Sequence, residues 1–124
     1  MTDTVEAFLA ARVSAGAAHK IMTALDEIVS NILKHGGGVQ SPSIAIQVDV
    51  TAHEVTVEIA DDGHPFNPLD ADAPDTKLDL EAREIGGLGI HLVRSLMDEV
   101  SYRRRGEGNW LRIRKTLLAG DSKA

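Results

Sequence analysis

The sequence predicts an α+β fold in which two N-terminal helices precede two strand hairpins, and a third helix separates the hairpins. Apolar residues first recur at the period of a helix, and from Ile44 onward they alternate at the period of a strand. The length of 124 residues suits one domain with a modest core. We therefore expect a single domain spanning residues 1–124.

The N-terminal segment carries the start signals of two helices. Asp3 and the glutamate three residues after it resemble a capping box, which predicts a helix running to about Val13. Ser14 can cap a second helix from about Ala17 to His35. The three glycines that follow His35 can supply the left-handed residue with which a helix ends.

The second helix carries a polar pair beside its apolar stripe. Glu27 and Asn31 lie one turn apart, so both side chains can reach one site. A carboxylate can accept a proton or hold an ion, and an amide oxygen beside it suits a hard cation such as Mg²⁺. Taken alone, the pair is more commonly ordinary helix surface. The stripe consists of Ile21, Ala24, Leu25, Ile28, Val29, Ile32 and Leu33.

Two pairs of strands follow this helix. Apolar residues alternate over residues 44–50 and 55–59 on either side of a short polar turn, which predicts an antiparallel hairpin. A second hairpin is expected from Val100 through a turn at residues 106–109 and back over Trp110 to Leu117. In its return strand we expect Leu111 to face inward and Arg112 outward.

A long polar segment and a glycine-rich turn separate the hairpins. Residues 64–84 have no sustained period, and so long a loop in so small a domain is usually functional. Gly86-Gly87-Leu88-Gly89 then opens a third helix from Ile90 to about Met97. Backbone N–H groups at such a helix start can bind phosphate, although plain connectors use the same pattern. The spacing fits neither a P-loop nor a dinucleotide fingerprint.

Composition excludes several classes of function. The net charge of −6 argues against a nucleic-acid binder, which usually shows a clustered basic face. No apolar run is long enough to span a membrane, and the N-terminus lacks a basic signal-peptide region. The absence of cysteine fits a cytoplasmic protein. The five histidines show no metal-ligand spacing, and the run Arg103-Arg104-Arg105 is read as a solvated strand face.

The order of the motifs carries more information than any one of them. Glu-x-x-x-Asn on a helix precedes Asp61-Asp62-Gly63 at a strand end, then a long loop, then the glycine-rich turn. This order resembles the Bergerat-fold ATP-binding domain of histidine kinases, gyrase-type ATPases and Hsp90-type chaperones. Within that superfamily the motifs are most similar to those of bacterial anti-sigma-factor serine/threonine kinases. The resemblance covers the chain from Ala17 to Lys115.

The resemblance implies a two-layer α/β sandwich, with a mixed, mostly antiparallel sheet and helices on one face. ATP and Mg²⁺ are the implied cofactors. Glu27 is then the general base, and Asn31 is the Mg²⁺ ligand. The implied ATP-binding residues are Asn31, Asp61 at the adenine amine, Gly63 against the ring, and Gly87, Leu88 and Gly89 at the phosphates. Because an acidic lid would repel a triphosphate, we also expect Arg83 to contact the terminal phosphate, with an ordinary surface arginine as the alternative. An acidic segment from His64 to Ile85 is the implied lid.

The resemblance also implies partners. These are a STAS-type antagonist of an anti-sigma factor, phosphorylated on Ser or Thr, and a sigma factor held in the other state. Relatives usually carry a further N-terminal strand that contributes to a homodimer, whereas here the first helix opens near the start, so we keep monomer and homodimer as alternatives.

Arg112 stands where relatives often have a Ser or Thr that supports the adenine site. Asp61, rather than Asp62, is favoured as the inward carboxylate by the Asp-x-Gly register.

We therefore expect a cytoplasmic, ATP- and Mg²⁺-dependent serine/threonine protein kinase that also acts as an anti-sigma factor, with no nucleic-acid or membrane partner. The alternative is a non-catalytic module that binds nucleotide and sequesters a protein. An ATPase piece of a larger sensor kinase and a structural domain without nucleotide are further alternatives. Phosphate transfer that is lost when Glu27 is replaced would identify a kinase and exclude the non-catalytic module.

Overall fold

A computed structural model describes residues 2–35, 43–63, 88–106 and 108–123, and it has the predicted α+β architecture. Helices cover one face of a sheet whose described strand pairs are all antiparallel, in the order β1-β2-β4-β3. The elements in chain order are α1 (Thr2–Ala10), α2 (Ala15–His35), β1 (Ile44–Val50), β2 (Glu54–Asp61), α3 (Leu88–Leu96), β3 (Glu99–Arg105) and β4 (Gly108–Thr116).

The predicted helix boundaries are close to the observed ones. Ser14 caps α2 as expected, because its Oγ accepts a hydrogen bond from the N–H of Ala17 at 3.2 Å. Asp3 was expected to open α1, but the helix already includes Thr2, so Asp3 lies in its first turn. The third helix begins at Leu88 and not at Ile90, which places two residues of the glycine-rich motif in its first turn.

The core lies between the helices and the inner face of the sheet. Strand alternation puts Val57 of β2 and Ile113 of β4 on this face, and both are fully buried. Helix α2 is buried along its length because its apolar residues recur every three to four positions. The buried apolar residues of α2 are Ala17, Ala18, Ile21, Met22, Ala24, Leu25, Ile28 and Ile32.

Helix α2 is long enough for its C-terminal half to reach the sheet end where β2 finishes. The start of α2 is tethered beyond the other end, because the N–H of Ser14 donates to the carbonyl of Asp121 at 2.6 Å. Asn31 lies about 24 Å along the helix axis from its first residue. The stretch of β4 from Thr116 back to Asn109 spans a similar length of about 24 Å. An α2 aligned with β4 therefore brings Asn31 level with the end of β2.

Helix α3 points its N-terminus toward the same end. Only Met97 and Asp98 separate α3 from β3, and the N–H of Asp98 donates to the carbonyl of Arg114 at 2.8 Å. The C-terminus of α3 therefore lies at the end where β3 begins. Helix α3 also packs against α2.

Among the helices that the structure describes, none has both the length and the hydropathy that a bilayer span requires.

Candidate functional site

Buried polar side chains mark the candidate site. In the part of the chain that the structure describes, the buried polar residues are Asn31, Asp61 and Asn109. Asp61 and Asn109 are direct partners in adjacent strands, and Asn31 lies in the C-terminal half of α2. Burial of polar groups is costly unless they find partners, so their concentration at one end is typical of a binding site.

Asp61 is the inward carboxylate at the end of β2, as the Asp-x-Gly register favours. Its side chain is 8% exposed, and its Oδ1 accepts hydrogen bonds from the N–H of Gly63 at 2.8 Å and from Nδ2 of Asn109 at 3.1 Å. Asp62 points away and is exposed, and its carboxylate accepts from the N–H of Ser43 at 2.7 Å. Strand alternation explains why two adjacent carboxylates have different surroundings.

Gly63 is buried, lies two residues after Asp61 and closes a tight turn. The N–H of Gly63 binds the Asp61 carboxylate, and its carbonyl accepts from Nη1 of Arg104 at 3.0 Å. A neighbouring glycine, Gly108, lets β4 approach β2, because a side chain there would clash with the carbonyl oxygen of Asp61. The turn is thus held from two strands.

Asn109 is the residue that the sequence analysis missed. It was assigned to the turn between the last two strands, whereas β4 begins at Gly108 and includes it. Its Nδ2 donates to Asp61, and its Oδ1 accepts from the hydroxyl of Tyr102 and from Nη1 of Arg104 at 3.2 Å. Strand alternation could have identified Asn109, because positions 109, 111 and 113 lie on the same face of one strand.

Arg112 does not stand beside the adenine site. Residues 109, 111 and 113 face the core, so Arg112 lies on the opposite face of the sheet, between Glu58 and Ser101. The alternation of β4 correctly predicted this outward position of Arg112, and the position does not support the comparison with the Ser or Thr of relatives. Asn109 is the β4 residue paired with Asp61.

Glu27 and Asn31 lie one turn apart on α2, as the helical spacing requires. Asn31 is 7% exposed, and Glu27 is half-buried. Among the described residues the buried side-chain polar atom that lacks a hydrogen-bond partner is Nε of Arg112, and no atom of Asn31 is in that state. The described residues contain no cluster of three or more His, Cys, Asp or Glu side chains that could enclose a metal.

The remaining predicted phosphate contacts are only partly described. Leu88 and Gly89 form the first turn of α3, where backbone N–H groups have no partner inside the helix. Gly87, Arg83 and the segment predicted as a lid lie outside the described residues. These assignments stay predictions.

Comparisons with known proteins point to one family. Residues 1–115 match the model of the histidine kinase-like ATPase domain. Serine/threonine-protein kinase BtrW of Bordetella bronchiseptica is 34% identical over 89 residues, which are 71% of this chain and 63% of that kinase. The chain therefore matches less than two thirds of the length of this relative.

Solved histidine kinases share the fold at lower identity. The chain is 15% identical to AdeS of Acinetobacter baumannii, with a TM-score of 0.55 over 80% of this chain and 46% of that one. It is 17% identical to the catalytic domain of ThkA, with a TM-score of 0.59 over 80% of this chain and 67% of that one. Both comparisons match the arrangement of helices on one face of an antiparallel sheet.

Proposed function

Because the chain belongs to the histidine kinase-like ATPase domain family, we propose that it is an ATP- and Mg²⁺-dependent serine/threonine protein kinase. The family implies an ATP-binding, kinase-like role. The serine/threonine specificity rests on the likeness to BtrW, whose name states that activity. The observation that carries the proposal is the buried pair of Asp61 and Asn109 at one end of the sheet, together with the buried Asn31 on α2.

Asp61, Gly63 and the start of α3 have the chemistry to bind a purine nucleotide. Asp61 presents a buried acceptor, which suits the exocyclic amine of adenine, and Gly63 has no side chain to exclude the ring. The start of α3 offers N–H groups and the positive end of a helix dipole to phosphates.

The residues on α2 fit Mg²⁺ held jointly with phosphates. Mg²⁺ usually takes one or two protein oxygens and completes its octahedral shell with waters and substrate phosphates. Asn31 is the side chain that would hold it, and the metal would spread the charge of the phosphates. Glu27, one turn away, would accept the proton of the attacking hydroxyl. The chain's own contribution is then to position the nucleophile and to exclude water.

The proposed protein substrate is a small STAS-type antagonist of an anti-sigma factor. In the other state of this cytoplasmic switch the kinase would hold a sigma factor. We infer these partners from the resemblance of the three motifs to those of partner-switching kinases.

The test is transfer of labelled phosphate from ATP to the Ser or Thr of an antagonist protein encoded beside this chain. We expect transfer with the wild type, nucleotide binding without transfer in Glu27→Gln, and loss of nucleotide binding in Asn31→Ala. Asp26→Asn is the matched control, because Asp26 is an exposed carboxylate on the same helix. Nucleotide binding with no transfer by the wild type would instead identify a non-catalytic regulator. Unchanged affinity in Asn31→Ala and Asp61→Ala would refute the site.

A further inference from the structure

The three consecutive arginines of β3 are divided between the two faces of the sheet. The guanidinium groups of Arg103 and Arg105 lie over the ring of Trp110 on the outer face, 5.4 Å and 4.7 Å from its centroid. Arg104 points to the inner face and bonds to the carbonyl of Gly63 and to the Asn109 side chain. The run is therefore more than a solvated strand face, because its middle arginine contacts two residues of the candidate site, Gly63 and Asn109.

Arg104 fixes the orientation of the Asn109 carboxamide. A guanidinium can only donate hydrogen bonds, so the Asn109 atom that faces Arg104 must be the carbonyl oxygen. The hydroxyl of Tyr102 donates to the same oxygen. The amide nitrogen of Asn109 must then face Asp61, and Asp61 must accept there. The chain of hydrogen bonds has one direction, from Arg104 through Asn109 to Asp61.

The same contacts hold Asp61 in place before any ligand binds. The two hydrogen bonds that the described residues donate to the Asp61 carboxylate both end on Oδ1, so they restrain the carboxylate and do not use its other oxygen. Arg104 also holds the Gly63 carbonyl, which restrains the turn from its other side. A restrained acceptor loses less conformational entropy when a ligand amine binds to it.

We propose that Arg104 and Asn109 are positioning residues that hold Asp61 as the acceptor for an exocyclic amine and so set the preference for adenine among purine triphosphates. This inference rests on the proposed nucleotide-binding function. Neither residue is required to touch the base, and both act through Asp61.

Binding of two nucleotides that differ only at the purine six-position tests the inference. The ligands are ATP and purine riboside triphosphate, in which hydrogen replaces the amine, each titrated by calorimetry with Mg²⁺. In the wild type we expect ATP to bind roughly 10- to 100-fold more tightly, the range for one hydrogen bond to a charged acceptor. Arg104→Met and Asn109→Leu should reduce that preference at least about threefold. The matched control is Arg103→Met, which changes the neighbouring arginine on the outer face and should keep the preference.

The ratio of the two affinities separates positioning from a merely structural role. Arg104→Met keeps both Asn109 and Asp61, so it remains informative if Asn109→Leu does not fold. If Arg104→Met lowers the affinity for both nucleotides equally, so that the ratio of the affinities is unchanged, the inference is overturned and the proposed function still stands. Failure of the wild type to bind either nucleotide would overturn both.

Discussion

Replacement of Asp61 by asparagine should reverse the base preference of the pocket. Gly63 and Asn109 both present N–H donors to Oδ1 of Asp61, so the carbonyl oxygen of the new asparagine will take that place. Its amide nitrogen then occupies the position of the other carboxylate oxygen. An acceptor that faced the adenine amine becomes a donor, which suits a purine with a carbonyl at the six-position.

The magnitudes follow from the two hydrogen bonds that Asp61 makes. Each loses charge assistance, which is worth about 1 kcal/mol, so the free energy of unfolding should fall by about 2 kcal/mol. The nucleotide site loses a hydrogen bond to a charged acceptor, a loss of about 2 kcal/mol that corresponds to roughly 30-fold weaker ATP binding. Inosine triphosphate, with its six-position carbonyl, should gain affinity in the variant.

Calorimetric titration with ATP and inosine triphosphate measures both effects, and urea unfolding measures stability. Asp62→Asn is the matched control, since Asp62 is the adjacent but exposed carboxylate and should leave both affinities unchanged. A folded Asp61→Asn protein that binds ATP as tightly as the wild type, with the same ratio between the two nucleotides, would refute the reasoning.

Three further predictions concern catalysis, packing and acid stability. Glu27→Gln should lower the rate of phosphate transfer at least about 100-fold with ATP affinity nearly unchanged, as expected for a general base and as single-turnover kinetics can measure. Gly108→Ala should displace the carbonyl of Asp61 and destabilise the fold by about 1–3 kcal/mol in urea unfolding; equal stability would contradict the close approach of the strands. The pKa of Asp98 is lowered from 3.8, chiefly by the N–H of Thr116, and the pKa of Asp121 is lowered chiefly by the N–H of Leu118. A carboxylate with a lowered pKa in the folded state stabilises the fold at every pH above its unfolded-state pKa. This contribution should be lost as the pH falls through and below 3.8. The Asp98→Asn variant should therefore lose less stability than the wild type in acid titrations.

The local structure was readable from the chain because its signals lie within short windows. The helical period predicted the buried face of α2 except at Leu33, which is 52% exposed. Ser14 was identified as the cap of α2, and its Oγ accepts from the N–H of Ala17. Alternation predicted the hairpin of β1 and β2, with its turn between Thr51 and Glu54. The Asp-x-Gly register indicated that Asp61 faces inward, and the structure confirms this.

The sequence by itself therefore determined the fold class, the family and the spacing of Glu27 and Asn31, all of which depend on contiguous or ordered motifs. Only the tertiary structure decided that Asn109 donates to Asp61, and that Arg104 donates to Gly63 and Asn109. The physical reason is strand register. Asn109 lies 48 positions from Asp61 along the chain, and a shift of one residue in the pairing of β2 with β4 would turn every β4 side chain to the opposite face of the sheet.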